Sequence, residues 1–220
     1  MGLNQKTTVV YYTSNREDEK FEAKIKENLL KDIGNLPLIS VSQKPMDFGK
    51  NICVGDVGVS NQNMHRQLQI GAMAATTPFI HFAQANTLYS KEYFKHIPPV
   101  TDRIYRAPVY LIYLNHRGRK KDRFYFKRSS EASTVVGREY IIKHIESYLS
   151  GRGMWNPVLE HGSSLPRMIP SYEMFSIYTP KVPILYIKTG NGLHSIHETS
   201  GVENILPYWG TPEEVMKKFL

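Results

Sequence analysis

The apolar positions change period along the chain, and each period implies a different element. Thr7–Thr13 (TTVVYYT) is an unbroken β-branched and aromatic run, short enough for a buried strand. From Asp18 to Ile33 the apolar positions are Phe21, Ile25, Leu29 and Ile33. A step of four keeps them on one helix face, with Ser14 or Asn15 as the expected N-cap and Gly34 closing the helix. Leu38–Ser42 (LISVS) is a second strand, ended by Gln43-Lys44-Pro45. Strand, helix and strand in this order make a βαβ unit, so a parallel sheet is expected.

A polar loop with Gly49, Gly55 and Gly58 spans Asp47–Ser60. Asn61–Ala75 then sets Met64, Leu68, Gly71 and Ala75 on one stripe, Pro78 stops that helix, and Phe79–Ala83 (FIHFA) is a third strand. This is the order of a doubly wound α/β sheet. Such sheets bind ligands at the carboxyl ends of their strands, here Thr13–Arg16, Ser42–Lys44 and Ala83–Thr87. Past Pro98-Pro99 the texture changes. Tyr110–Leu114 and Arg123–Lys127 read as a hairpin around a polar turn at Asn115–Lys120, followed by a helix over Gly137–Leu149 and a loop-rich tract over Ser150–Pro170. A strand at Val182–Ile187, a loop at Thr189–His197 and a helix at Pro212–Leu220 complete the chain. The proline pair marks a seam between two lobes, 1–97 and 98–220, of one integrated domain.

Composition narrows the class. At 220 residues, with 41% hydrophobic and 22% charged residues, the chain has enough apolar surface for a folded core. Its longest apolar runs, Val109–Leu114 and Val182–Ile187, fall far short of the roughly 20 residues a membrane-spanning helix needs. The first residues lack the basic-then-apolar pattern of a secretory leader, and Lys6 stands where a myristoylation signal has Ser or Thr. A cytoplasmic protein (host cytoplasm if the source is viral) is the expectation. The single cysteine, Cys53, excludes an internal disulfide framework and a zinc site of several thiolates, and it is expected to be buried.

The net charge of +8 is unevenly placed. His116–Arg128 holds seven Lys/Arg against one Asp, a local balance of +6. Cations interleaved with aromatics suit a polyanion, with Lys/Arg on phosphates and rings available for stacking. The candidate contacts are Arg117, Arg119, Lys120, Lys121, Arg123 and Tyr125; a plain solvated hairpin explains the same residues.

Five segments carry candidate chemistry. Thr13, Ser14, Asn15 and Arg16 follow the first strand, where free N–H groups and hydroxyls suit a nucleotide and where N-capping alone also fits. Ser42 and Gln43 follow the second strand and fit a simple turn equally well. The Gly49–Ser60 loop, with Gly55 and Ser60, can cradle phosphates through backbone N–H groups, although it matches neither a Walker A loop nor GxGxxG. Gln84, Ala85 and Asn86 end the third strand, and side chains two apart there face the same side. As carboxylates, residues 84 and 86 would hold a divalent metal; as amides they offer neutral carbonyl ligands. His194 and His197 lie in a glycine-bearing loop and can serve as metal ligands, phosphate contacts or plain surface histidines. For a general base the second lobe offers Glu131, Glu139, Glu160 and Glu173. Glu160 sits in an irregular stretch beside His161 and Gly162.

Taken in order, these segments resemble a known family. Thr13-Ser14-Asn15, Ile39–Pro45, Gly49–Gly55, Arg66–Ala72 and Leu206-Pro207-Tyr208-Trp209-Gly210 are similar to a small group of GT-A-fold glycosyltransferases, related to the family-2 transferases and found in viruses and microbes. The resemblance runs over nearly the whole chain, most densely over 7–97 and 182–215. It implies a GT-A-like doubly wound nucleotide-sugar-binding sheet with a smaller acceptor lobe. A hexose would pass from a UDP-type donor to a hydroxyl. Carried over by position, Gln84 and Asn86 occupy the slots of two metal-binding acids, Asn86 with His194 or His197 would hold Mn²⁺ or Mg²⁺, Arg66 joins the donor contacts, and Glu160 is the base. For the acceptor, the basic aromatic hairpin suggests a polyanion, specifically a hydroxymethylated pyrimidine in viral DNA flipped out beside Phe124 or Tyr125; a glycan or lipid-linked acceptor is the alternative. The amides at 84 and 86 depart from the family pattern. They fit an inactivated variant, a metal-independent enzyme with Arg or Lys on the diphosphate, or a non-catalytic nucleotide- or DNA-binding descendant.

Overall fold

A computed structural model describes residues 2–114, 119, 121–156, 175–190 and 199–220. In chain order the elements are α1 (Leu3–Lys6), β1 (Thr7–Thr13), α2 (Glu19–Ile33), β2 (Leu38–Ser42), β3 (Lys50–Cys53), α3 (Asn61–Ala74), β4 (Phe79–Gln84), β5 (Thr87–Leu88), α4 (Lys91–Phe94), β6 (Ile104–Arg106), β7 (Val109–Tyr113), β8 (Phe124–Lys127), a 3₁₀ turn (Glu131–Ser133), β9 (Thr134–Gly137), α5 (Arg138–Tyr148), β10 (Phe175–Ile177), β11 (Ile184–Lys188), β12 (Gly201–Glu203) and α6 (Pro212–Phe219). The described strands form two sheets. The larger runs β10-β6-β9-β4-β1-β2-β3 and the smaller β12-β8-β7-β11-β5.

β1 lies at the centre of the fold. It pairs in parallel with β2 on one side and β4 on the other, Thr13 beside Ser42 and Tyr12 beside Gln84. All seven of its residues are buried. Val9 and Tyr11 pack with Leu29 and Ile33 of α2, whereas Val10 and Tyr12 pack with Leu68 and Ala72 of α3. A parallel strand covered on both faces reads as a continuous apolar run, which is why TTVVYYT has no alternation. The first half of the same α2 stripe, Phe21 and Ile25, joins Leu88, Ile112, Leu185 and Ile187 of the smaller sheet. α2 is thus shared between the two sheets.

The structure corrects several expectations. The sheet is mixed, because β9 inserts antiparallel between β4 and β6. The Asp47–Ser60 segment is not all loop, since Lys50–Cys53 forms the edge strand β3 against β2. That edge leaves Cys53 exposed. α2 is capped by Asp18, which accepts from the N–H groups of Lys20 and Phe21, so Ser14 and Asn15 lie outside the helix in a connecting loop. Strands from beyond Pro98-Pro99 also enter the larger sheet, and β5 from before it enters the smaller one. No helix among the described residues is long and apolar enough to cross a membrane.

Two packing details are testable. A Cβ on Gly71 of α3 would run into Val10 Cγ1 of β1, so this helix meets the central strand closely only because position 71 has no side chain. Gly71→Ala is expected to lower stability by about 1–3 kcal/mol through overpacking, read by urea denaturation; an unchanged midpoint would refute the close fit. His81 of β4 is fully buried, with Nδ1 2.8 Å from Thr7 Oγ1 and Nε2 3.0 Å from the Tyr93 carbonyl, partners that suit a neutral ring. Burial, with a smaller push from His96, holds its pKa down to about 3. The unfolded chain therefore binds a proton near pH 6.5 that the folded chain refuses until about pH 3. Stability should fall as pH drops through that window, and His81→Leu should flatten this part of the slope.

Candidate functional site

The carboxyl ends of β1, β2 and β4 open into a cleft of about 870 Å³, part of it open to solvent. Its floor is organised by amides. Asn15 adopts a left-handed conformation (φ 54°) that asparagine tolerates better than most residues. Its Oδ1 accepts from the N–H groups of Gln43 (2.8 Å) and Lys44 (2.9 Å), tying the loop after β1 to the turn after β2. From α3, Gln67 Nε2 donates to the carbonyls of Thr13 (2.9 Å) and Val41 (3.1 Å). Asn63, one turn earlier, donates to the carbonyls of Val57, Gly58 and Asn156 and accepts from the Asn156 N–H. Gln43 Nε2 donates to Gly58 O at 2.8 Å. Backbone groups released at the strand ends thus find side-chain amides, and the loops around the cleft are held together.

One wall is a chain of neutral donors and acceptors. Tyr12, in register beside Gln84, donates its hydroxyl to Gln84 Oε1 (3.1 Å), and Gln84 Nε2 donates to the Tyr186 hydroxyl (3.1 Å). That oxygen also accepts from Lys188 Nζ (3.2 Å). Burial raises the Tyr12 phenol well above its ordinary pKa, so it stays a donor. Asn86 Nδ2 donates to Glu17 Oε1 (3.0 Å), and Thr189 Oγ1 donates to Glu17 Oε2 (2.7 Å). Burial raises the Glu17 carboxyl above its usual range, although both hydrogen bonds act to lower it. Across the cleft stand Lys127 and Glu131, the latter 3.4 Å from the buried Arg106 guanidinium. Tyr89 joins the two sides, accepting from Gln84 N–H (3.0 Å) and donating to Ala132 O (2.6 Å).

Of the donor candidates, Thr13, Ser14, Gln43, Ser60, Gln84, Ala85 and Asn86 line the cleft. Asn15, Arg16, Ser42, Gly55 and Arg66 do not. Asn15 spends its oxygen on the turn after β2. Arg16 pairs at the surface with Asp56 (3.1 Å). Ser42 donates to Lys44 O (2.7 Å). Gly55 is exposed with φ 78°. Arg66 faces α5, bonded to Gln69 (2.8 Å) and Glu146 (3.0 Å), because that side of α3 packs on α5.

The hairpin also departs from expectation. β7 and β8 pair as predicted, but β12 pairs on the far side of β8, which makes β8 an interior strand. Phe124 and Tyr125 are buried on the faces of this sheet, Phe124 in the cluster of Phe21 and Ile25 and Tyr125 in that of Leu111 and Tyr113, and Arg119 covers the Tyr125 ring at 4.8 Å. Neither ring is available as a wedge between bases. Lys121 is exposed and Arg123 partly so. Glu160, His194, His197, Arg117 and Lys120 lie outside the described residues. Among the described residues no group of three or more His, Cys, Asp or Glu is placed to hold a metal ion.

No family model and no curated protein matches the chain. Solved structures do. Fragment 1–349 of S. aureus TarS is similar over 84% of this chain and 60% of its own length, at 14% identity and a TM-score of 0.51. The same fragment in complex with UDP-GlcNAc is similar over 83% and 58%, at 13% identity and a TM-score of 0.52. The fold is GT-A-like. At such identity the likeness is one of fold, and the chain spans about 60% of the fragment it matches. In this GT-A-like frame the sequence missed Glu17, Asn63, Gln67, Tyr186 and Lys188. The signal for the α3 residues was a helix whose one charged residue is Arg66, too few charges for a solvated face. Glu17 was signalled by its place just past a strand's carboxyl end.

Asn63→Ala would strip four backbone groups of their partner. A loss of about 2–4 kcal/mol is expected from the buried groups left unsatisfied, measured by chemical denaturation. A variant as stable as the parent would show that Asn63 does not hold these loops.

Proposed function

We propose that this chain is a glycosyltransferase that moves a hexose from a UDP-type nucleotide sugar to a hydroxyl acceptor. The observation that carries this reading is the cleft, edged by amides and hydroxyls, at the carboxyl ends of β1, β2 and β4, in a fold similar to that of a protein solved with UDP-GlcNAc. Thr13, Ser14, Gln43, Ser60, Gln84, Ala85 and Asn86 are the donor contacts, with Asn15, Ser42, Gly55 and Arg66 shaping the loops and helix behind them. Glu160 is proposed as the base that deprotonates the acceptor. Glu131, from the same set of sequence candidates, lines the cleft but is paired with Arg106.

The fold family implies a divalent metal on the donor diphosphate. The described residues do not fit one. Such a cation takes oxygen ligands, preferably carboxylates, whereas Gln84 has its oxygen on the Tyr12 hydroxyl and its N–H on Tyr186, and Asn86, whose N–H holds Glu17, offers one buried neutral oxygen.

For the acceptor, a polyanion is proposed from the +6 segment, with hydroxymethylated pyrimidine DNA as the specific case and a glycan or lipid-linked hydroxyl as the alternative. Burial of Phe124 and Tyr125 leaves the DNA case resting on charge alone. A second reading, a nucleotide-binding protein without turnover, is favoured by the amide pair at 84 and 86.

Thermal unfolding with UDP tests the donor site. At about 100 times its Kd a ligand adds ~2.7 kcal/mol, which for a chain of this size raises Tm by roughly 5–10 °C. No shift with any nucleoside diphosphate would refute the reading. A shift without hydrolysis or transfer of UDP-sugars would favour the non-catalytic alternative.

A further inference from the structure

The positive charge of a metal ion, which amides at 84 and 86 hold poorly, has a candidate counterpart on β11 of the smaller sheet. Lys188, the last residue of β11, is 6% exposed. Its ammonium sits 3.2 Å from the Tyr186 hydroxyl and 4.3 Å from the centre of that ring. Among the described residues Tyr186 is its one hydrogen-bond partner, and it forms no ion pair there. Buried charges are as a rule paired, so an ammonium held by a neutral hydroxyl marks a place where an anion belongs.

The surroundings point the same way. Tyr186 lines the cleft and receives N–H donors from both Lys188 and Gln84. A hydroxyl polarised by two donors is itself a stronger donor toward a cleft ligand. The nearby carboxylate, Glu17, makes no ion pair with Lys188, although the ammonium is close enough for its charge to act against the burial that raises the Glu17 pKa. Its two oxygens accept from Asn86 and Thr189, and its burial favours the neutral form. The amides do more than fail as metal ligands: Gln84 links Tyr12 to Tyr186, and Asn86 occupies Glu17.

We infer that Lys188, acting from behind the cleft through the Tyr186 hydroxyl, supplies the positive charge for a nucleoside diphosphate bound at the ends of β4 and β11, in place of a divalent metal. This rests on the nucleotide-sugar reading of the cleft, and its failure can be told apart from the failure of that reading.

The test is calorimetric titration of the full chain with UDP, in EDTA and in Mn²⁺. Equal affinity within about twofold in the two buffers is expected. Lys188→Met should weaken UDP binding in EDTA at least tenfold, while Lys188→Arg keeps the charge and should stay within about threefold of the parent. Thermal unfolding of each variant confirms that it is folded. A Lys188→Met variant that is folded and binds like the parent, or a parent that binds UDP only with Mn²⁺, overturns the inference and leaves the nucleotide site standing. Absence of UDP binding in both buffers overturns the two together. Should Lys188→Met not fold, Lys188→Arg decides: binding retained in EDTA supports the role of charge, and binding lost from a folded Lys188→Arg refutes it.

Discussion

The complete burial of β1 is the constraint on which the rest depends. A strand with no exposed residue must be packed on both faces and hydrogen-bonded on both edges, and its last carbonyl must still find a donor. The faces are met by α2 and α3, the edges by β2 and β4. At the carboxyl end no neighbouring strand continues the ladder, and Gln67 supplies the donor from α3. The cleft is the outcome: a hollow at the end of three strands, bordered by side chains whose first task is to satisfy backbone.

This explains the character of α3. Ten of its residues are buried, among them Asn61, Gln62, Asn63, His65, Arg66, Gln67 and Gln69. A helix packed on a purely apolar strand would bury Leu or Ile at such places. Here it covers strand ends and loop carbonyls, and buried polar groups need partners, so amides replace aliphatic side chains. Gly71, farther along, sits where α3 meets β1 closely and needs no polar group. One helix therefore changes from a hydrogen-bonding surface at its start to a packing surface at its end.

The sequence exposed the parts of the fold with a clear period. Thr7–Thr13 and Leu38–Ser42 have the boundaries their apolar runs imply, and α3 ends one residue short of expectation. The short strands were harder to see. β9 (TVVG) and β6 (IYR) are too brief for a period, and they are strands because β4 has an edge to fill. β3 (KNIC) is an edge strand without an apolar face, which also misled the reading of Cys53. At the site, positions 84 and 86 were visible as amides at a strand end, but what they bond was not. Glu17 and Lys188 are far apart in sequence, and only the meeting of the loop after β1 with the end of β11 brings them to one wall. The hairpin aromatics failed for a related reason: Phe124 joins a core cluster with Phe21 and Ile25 of α2, roughly a hundred residues upstream.

The electrostatics of that wall follow from one substitution of type. An acid at position 86 would lie about 3.0 Å from Glu17, the distance now spanned by the Asn86 N–H. Two carboxylates so close cannot both ionise unless a cation joins them or they share a proton. With an amide there, Glu17 is satisfied by neutral donors and places no demand for a cation on the cleft. Lys188 then needs no carboxylate to hold it in place, because the Tyr186 ring and hydroxyl do so. With burial pushing Glu17 toward its neutral form and an ammonium at Lys188, such a wall carries no excess of negative charge before any ligand arrives. A wall of two acids would be strongly negative and would repel a diphosphate until a metal ion was bound. On the proposed reading of the cleft, the amides would change the order of events: a diphosphate would enter without waiting for a metal.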